Sequence, residues 1–186
     1  MAKQRPNWGG GGLNLYGYTF NNPVNWVDSL GLEVNGTFDL TTGQVRLTDD
    51  ATGRTTQISG HSGGHPWGAP IPTGNYDILN HPKRDCFRLE PTDSPYGDDT
   101  DNASGRDKFR LHKPGRTIGC IAAKDQAQWD AMRDFIRATS TSTTTVQSKS
   151  WNPFASSTET ITKFGNMSVI RSNNPLPFRV TPPGIR

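Results

Sequence analysis

Glycine and proline interrupt this chain too often for long helices. Twenty Gly and fourteen Pro are spread through 186 residues. Each Pro fixes φ and removes a backbone donor, and each Gly loosens a regular element. Short strands joined by many turns satisfy that punctuation, whereas a helical bundle does not. The expected fold is mainly β with one principal helix, an α+β arrangement. The length suits one domain of ordinary size with a short appendage. Hydrophobic residues make up only 31%, yet five Trp, eight Phe and four Tyr suffice to seed a core.

Alternation supplies the strands. Gly36-Thr37-Phe38-Asp39-Leu40 and Gln44-Val45-Arg46-Leu47-Thr48 flank Thr41-Thr42-Gly43, a hairpin pattern with Gly in the turn. Thr55 to Ser59, Asn75-Tyr76-Asp77-Ile78-Leu79, Cys86-Phe87-Arg88-Leu89 and Lys108-Phe109-Arg110-Leu111 read as further strands. Glu159-Thr160-Ile161-Thr162 and Met167-Ser168-Val169-Ile170 read as a final hairpin over Phe164-Gly165-Asn166. Residues 93–107, rich in Pro, Gly, Asp, Asn and Ser, read as a mobile surface loop, and the Pro-rich end from Asn174 as extended chain. One helix stands out. Asp125 caps it, Gln128 is the capping-box partner, and Trp129, Met132 and Ile136 form a buried stripe with Phe135 beside them. The Ser/Thr run 139–145 is too polar and β-branched to continue it.

Composition also excludes classes. The net charge of +3 comes from scattered Lys and Arg, not a basic stripe, so a nucleic-acid partner is not expected. No run of about 18 apolar residues exists, so membrane insertion is not expected. The N-terminus, Met-Ala-Lys-Gln-Arg-Pro-Asn-Trp, lacks the apolar stretch of a signal peptide. Two cysteines, Cys86 and Cys120, are compatible with one disulfide or with one core thiol and one reactive thiol.

The first 32 residues differ from the rest. Four glycines, Gly9 to Gly12, precede Asn14-Leu15-Tyr16-Gly17-Tyr18-Thr19-Phe20-Asn21-Asn22-Pro23-Val24-Asn25-Trp26-Val27-Asp28-Ser29-Leu30-Gly31-Leu32. Physically this is a linker followed by a strand and an Asn-Asn-Pro turn. In order as well as composition it resembles the end of the Rhs-repeat core, a shell closing in N-x-Y-x-Y-x-x-N-N-P-V-N-W-x-D-P-x-G-L. Ser29 stands where that family has Pro. The resemblance implies cleavage after Leu32 by the shell's aspartyl protease, and a separate toxin domain over residues 33–186.

The place for chemistry is Phe109-Arg110-Leu111-His112-Lys113-Pro114-Gly115-Arg116-Thr117-Ile118-Gly119-Cys120-Ile121. His112 precedes Cys120 by eight residues, with a Gly-rich turn between them. A thiol becomes a strong nucleophile when a base takes its proton, and imidazole is the usual base. A third group, often a backbone carbonyl, should orient the ring; the backbone near Gly115 or Ser59-Gly60-His61 is a candidate. Gly119 lets a substrate approach closely, and its amide is a candidate oxyanion donor, worth about 3 kcal/mol when well aimed. His61 and His65 have a spacing that binds zinc on a helix, but they lie in the Gly/Pro loop Ser59-Gly60-His61-Ser62-Gly63-Gly64-His65-Pro66-Trp67 without evident further ligands. No metal site is expected there.

Taken in order, Ser59-Gly60, then Pro70-Ile71-Pro72-Thr73-Gly74-Asn75-Tyr76, then Phe109-Arg110-Leu111-His112, then Thr117-Ile118-Gly119-Cys120-Ile121 resemble the L,D-transpeptidase-like enzymes, specifically compact type VI secretion effectors. The resemblance implies a β-sandwich or barrel-like catalytic domain, with Cys120 as acyl-accepting nucleophile and His112 as its base. It gives Gly119 and Thr117 the shaping of the turn and oxyanion, and makes Ser59, Gly60, His61, Tyr76, Arg110 and Arg116 substrate-binding candidates. Larger members carry His before Gly-Cys and Arg or Asn after it; here Ile118 and Ala122-Ala123 stand there, so Arg110, Arg116 and Lys124 are the candidates for a carboxylate anchor.

The implied activity is L,D-carboxypeptidase or L,D-transpeptidase chemistry on peptidoglycan tetrapeptide stems in the periplasm of a target cell. Covalent thiol catalysis requires no cofactor. The implied partners are the stem peptides, a cognate immunity protein, the Rhs shell and the secretion apparatus. Other readings stay open from the residues alone: a cysteine peptidase, a His-based nuclease, or a non-catalytic cell-wall-binding module with a structural Cys120.

Overall fold

The computed structural model describes residues 33–64, 68–148 and 157–173. The chain divides into two units, Met1–Gly31 and Leu32–Arg186, and every described residue belongs to the second. The Rhs-like leader, His65 and the Pro-rich end from Asn174 lie outside the described residues.

The unit is mainly β with a single α-helix among the described residues. β1 (Val34–Asp39) and β2 (Gln44–Asp49) form the expected hairpin, paired from Val34↔Asp49 to Asp39↔Gln44. Asp39 organises its turn by accepting the Thr41 N–H at 2.9 Å. β3 (Thr55–Ser62), β4 (Gly74–Asn80), β5 (Cys86–Pro91), β8 (Arg110–His112), β9 (Ile121–Ala123), β10 (Ser142–Ser148) and β11 (Ser157–Ile170) complete the main sheet. A small sheet pairs β6 (Thr100–Asp101) with β7 (Arg106–Asp107).

The main sheet runs β1-β2-β3-β9-β8-β5-β4-β11-β10. β1 also pairs with β11 in parallel, from Val34↔Gly165 to Asp39↔Ile170, which closes the wall into a barrel-like sheet and leaves β10 outside it. β8 and β9 are the other parallel neighbours, with Leu111↔Ile121 and His112↔Ala122. Inside lie Phe38, Val45, Leu47, Ile78, Phe87, Leu89, Leu111, Ile121 and Met167, all nearly free of solvent.

The helix α1 (Gln126–Arg137) covers this core with Trp129, Met132 and Ile136, each fully buried, and Phe135 packs beside them. Burying side chains of this size contributes about 1.5–3 kcal/mol each. Asp125 caps the helix by accepting the Gln128 N–H at 2.9 Å. The Gln128 side chain does not reach back to the Asp125 N–H as a capping box would: its amide donates to the Asp125 carboxylate at 2.5 Å, and its carbonyl accepts the Ser59 N–H at 2.6 Å, tying helix to β3.

Three expectations are corrected, and one is extended. The final hairpin is one strand, β11, bent at Gly165. Gly165 has φ +150, and a Cβ there would drive into the Val34 backbone, so the residue permits barrel closure and makes no turn. The Ser/Thr run 139–145 ends the helix as expected and goes on into β10, whose β-branched Thr residues suit a strand. Ser59, Gly60 and His61 are not a loop but the end of β3, paired with β9 at Gly60↔Ala123 and His61↔Ala122. The segment 93–107 carries the β6–β7 hairpin and is pinned by the buried Glu90 carboxylate, which accepts the N–H groups of Gly97 (2.9 Å) and Asp99 (3.0 Å).

Among the described residues no helix is long and apolar enough to cross a membrane.

Candidate active site

Strand alternation builds the site on the outside of the wall. The residues that send Phe87, Leu111 and Ile121 inward send Cys86, Arg110, His112 and Ala122 outward. Pairing then fixes their neighbours. His61, Ala122, His112 and Cys86 form one row across β3, β9, β8 and β5. Cys120 immediately precedes β9, two residues before His112's partner Ala122, so the two residues lie diagonally across adjacent parallel strands and both line one cavity.

The His112 ring is oriented by its own chain: Nδ1 lies 2.7 Å from the Lys113 carbonyl oxygen. A carbonyl only accepts, so Nδ1 carries the proton and Nε2 keeps its lone pair. The orienting carbonyl is thus Lys113, not the backbone of Gly115 or β3. Burial lowers the His112 pKa, with nearby His61 adding to the effect against the Lys113 hydrogen bond, so the ring is neutral at neutral pH. Burial likewise raises the Cys120 pKa, against the opposing influence of Arg110 and Thr117. The resting pair is therefore thiol and neutral imidazole, each kept uncharged by desolvation. The Cys120 thiol faces the Lys108 carbonyl at 3.6 Å.

Cys120 lies where two cavities meet. One, of about 500 Å³, is lined by Arg84, Asp85, Cys86, Arg110, His112, Lys113 and Cys120. The other, of about 450 Å³, is lined by Arg106, Phe109, Ile118, Gly119 and Cys120 among others. The first is rimmed by cationic side chains. The second sets Arg106, Asp107 and Lys108 beside Phe109 and Ile118, and Ile118 there is 75% exposed.

The turn that presents the thiol is stapled from three sides. Thr117, almost completely buried, donates its hydroxyl to the Cys120 carbonyl at 2.6 Å and accepts the Gly119 N–H at 3.1 Å. Ser62 Oγ donates to the Gly119 carbonyl at 3.0 Å. Arg106 donates to the carbonyls of Ile118 (2.9 Å), Ala69 (2.9 Å) and Pro70 (2.6 Å). Gly119 has φ +143, and a Cβ there would collide with the Arg106 guanidinium, so no other residue allows that staple.

Several expected roles change. Thr117 and Gly119 shape the turn, but the Gly119 amide is spent on Thr117 and is not an open oxyanion donor. Tyr76 is a core residue: its ring is 1% exposed, packs edge-on against Phe109, and its hydroxyl donates to the Pro72 carbonyl at 2.9 Å. Ser59 lines neither cavity at Cys120, and its N–H is held by Gln128. Gly60 and His61 line a separate cleft with Phe38, Leu40 and Pro70. Arg110 does line the Cys120 cavity, but its guanidinium is gripped by both Asp99 oxygens, at 2.7 and 2.5 Å. Arg116 and Lys124 are exposed and line neither cavity. Both cysteines are free. β8 separates β5 from β9, too wide a gap for a disulfide without backbone movement. His65 lies outside the described residues, and among those described no group of three or more His, Cys, Asp or Glu converges as a metal site.

The sequence reading missed Arg106, Ser62 and Asp99. Each acts on a residue far along the chain, and no local pattern marks such a contact.

No protein-family model matches this chain, and no curated protein or solved structure is significantly similar to it.

Proposed function

We propose that residues 33–186 are an antibacterial effector with an L,D-transpeptidase-like fold and activity, acting on peptidoglycan tetrapeptide stems through a Cys120 thioester. Cys120 at the junction of two cavities, with His112 lining one of them, is the observation that carries this proposal. An acyl-transfer enzyme needs that arrangement, because the acyl donor and the attacking group must both reach one atom.

In the proposed reaction, Sγ attacks the carbonyl carbon of the third stem residue while the thiol proton passes to His112 Nε2. The amide C–N bond breaks, and the leaving D-Ala nitrogen takes the proton from the imidazolium. The resulting thioester is opened by water, giving a tripeptide, or by an amine, giving an exchanged stem. His112 removes the proton of the attacking group, and the proton returns to sulfur as the C–S bond breaks. Desolvation supports this sequence, since a neutral base and a neutral thiol exchange a proton only as attack develops.

Arg84 and Lys113 at the rim of the His112-side cavity suit the carboxylates of a stem peptide better than Arg110, which is committed to Asp99. The Rhs-like leader supports delivery from a shell by a type VI-like apparatus into a target periplasm, with an immunity protein protecting the producer.

The test is incubation of the purified protein with tetrapeptide muropeptides, read by mass. Tripeptide or exchanged stems form with the wild type and not with Cys120→Ala. Untouched tetrapeptides, or equal conversion by Cys120→Ala, would end the proposal.

A further inference from the structure

Asp99 and Lys108 are the non-glycine residues with left-handed backbone among the described residues, at φ +66 and +62. Such conformations cost energy and persist where the surroundings enforce them. Here they are joined: the Lys108 N–H donates to the Asp99 carbonyl at 2.9 Å. Behind them stands the fully buried Glu90, which accepts the Asp99 N–H at 3.0 Å and pairs with Arg88. In front of them stands the nucleophile. The Lys108 carbonyl faces Cys120 Sγ at 3.6 Å, and the Asp99 carboxylate holds the Arg110 guanidinium beside the same cavity.

Resting on the reading of Cys120 as nucleophile, we propose that Asp99 is a positioning residue that keeps the thiol in its resting, protonated state, by occupying Arg110 and by fixing the Lys108 carbonyl that the thiol faces. Arg110 is the cation best placed to favour a thiolate, and Asp99 cancels it. The two act on Cys120 with opposite sign, Arg110 lowering and Asp99 raising its pKa.

The other charged and titratable groups near the thiol do not substitute for this pair. On β3, on β8 and just after it these are His61, neutral His112 and Lys113; on β5 and the turn before it they are His81, whose pKa burial lowers, Arg84, Asp85, Cys86, and Arg88, which meets Asp99 at 3.4 Å but is paired with the buried Glu90. Asp85 is committed to Arg133 and Arg137 of α1. On the remaining segment, Arg106 is held by three carbonyls, and Asp107 pairs with the Lys108 ammonium.

Asn tolerates a left-handed backbone and retains the Asp99 main-chain hydrogen bonds, so Asp99→Asn keeps the segment's shape while removing the carboxylate charge that meets Arg110 and, at 3.4 Å, Arg88. The experiment follows iodoacetamide alkylation of Cys120 against pH in the full chain, by mass of the tryptic peptide 117–124; Cys86 falls in the separate peptide 85–88. The expected result for Asp99→Asn is a roughly three- to tenfold faster reaction at pH 7 and a midpoint moved to lower pH. Arg110→Gln moves the midpoint the other way, and the double variant behaves as Arg110→Gln alone. Arg110→Lys, which keeps the cation and loses the bidentate grip, shifts the midpoint in the same direction as Asp99→Asn and serves if that variant fails to fold. An unchanged or raised midpoint in folded Asp99→Asn and Arg110→Lys, an unchanged or lowered one in folded Arg110→Gln, or independent additive effects, would overturn the proposal. Alkylation needs no stem peptide, so inert muropeptides with the expected shift would remove the proposed function and leave this inference standing.

Discussion

The Thr117 hydroxyl donates to the carbonyl of Cys120 at 2.6 Å while accepting the amide of Gly119 at 3.1 Å, so one buried oxygen closes the turn that presents the Cys120 thiol. Thr117→Val keeps the shape and deletes both bonds. It is expected to destabilise the fold by about 1–3 kcal/mol, because two buried backbone groups lose their partner. Thr117→Ser should retain most of that stability. Urea unfolding of the two variants checks this, and equal midpoints for Val and wild type would contradict it.

His112 predicts a specific acid limb. Burial holds its pKa below the ordinary value of about 6.5, so the ring remains a usable base until the pH falls beneath that value. Thioester formation on muropeptide should therefore decline only below about pH 6.5, as imidazole becomes imidazolium. His112→Gln should lose about 10²- to 10⁴-fold in rate and the limb with it. A wild-type midpoint above 6.5 would contradict the burial argument.

Gly165 sits where β11 crosses from β10 to β1, and Gly165→Ala tests barrel closure. The added methyl has a left-handed backbone to overcome and the Val34 main chain in its path. The conformation alone costs about 1–3 kcal/mol, and the clash must add to it by separating β1 from β11. Thermal unfolding should drop markedly, with faster amide exchange in β1 than in β4.

Asp39 supplies a stability that depends on pH. Burial opposes its ionisation, but bonds from the Ser172 hydroxyl and N–H, the Thr41 N–H and the Thr42 hydroxyl outweigh burial and lower its pKa to about 2. The unfolded carboxyl titrates near 3.9. The depressed value contributes stability above about pH 4, which is lost as the pH falls toward about 2. Asp39→Asn should therefore lower the melting temperature at pH 7 and converge on wild type near pH 2. A constant difference across that range would show that its charge is immaterial.

The β1–β2 hairpin and the Trp129 helix are legible in the sequence because each is local: a Gly turn between alternating runs, and a cap followed by an apolar stripe. The pairing of His112 with Cys120 is half legible. Proximity along the chain suggests it, but their diagonal relation comes from parallel register between β8 and β9, which no local pattern encodes. β11 misleads because Gly165 looks like a turn residue; its purpose is close approach by Val34, from a strand distant in sequence. Tyr76 misleads for a related reason, since a Tyr in an alternating strand reads the same whether its hydroxyl meets a ligand or the Pro72 carbonyl. Arg106 leaves no signature at all, because its three acceptors are main-chain oxygens from two separate segments.

The outward-facing row of His112 and Cys86, with Cys120 beside it, has a consequence for control. A reactive centre inside a barrel would have to be blocked by something threaded through its mouth. Cavities that open on the outer wall can be shut by a folded surface laid across their mouths. Inhibitors of unrelated shape are then equally serviceable, and the cavities' rim can drift to escape one of them while Leu111 and Ile121, facing the other way, keep the scaffold unchanged.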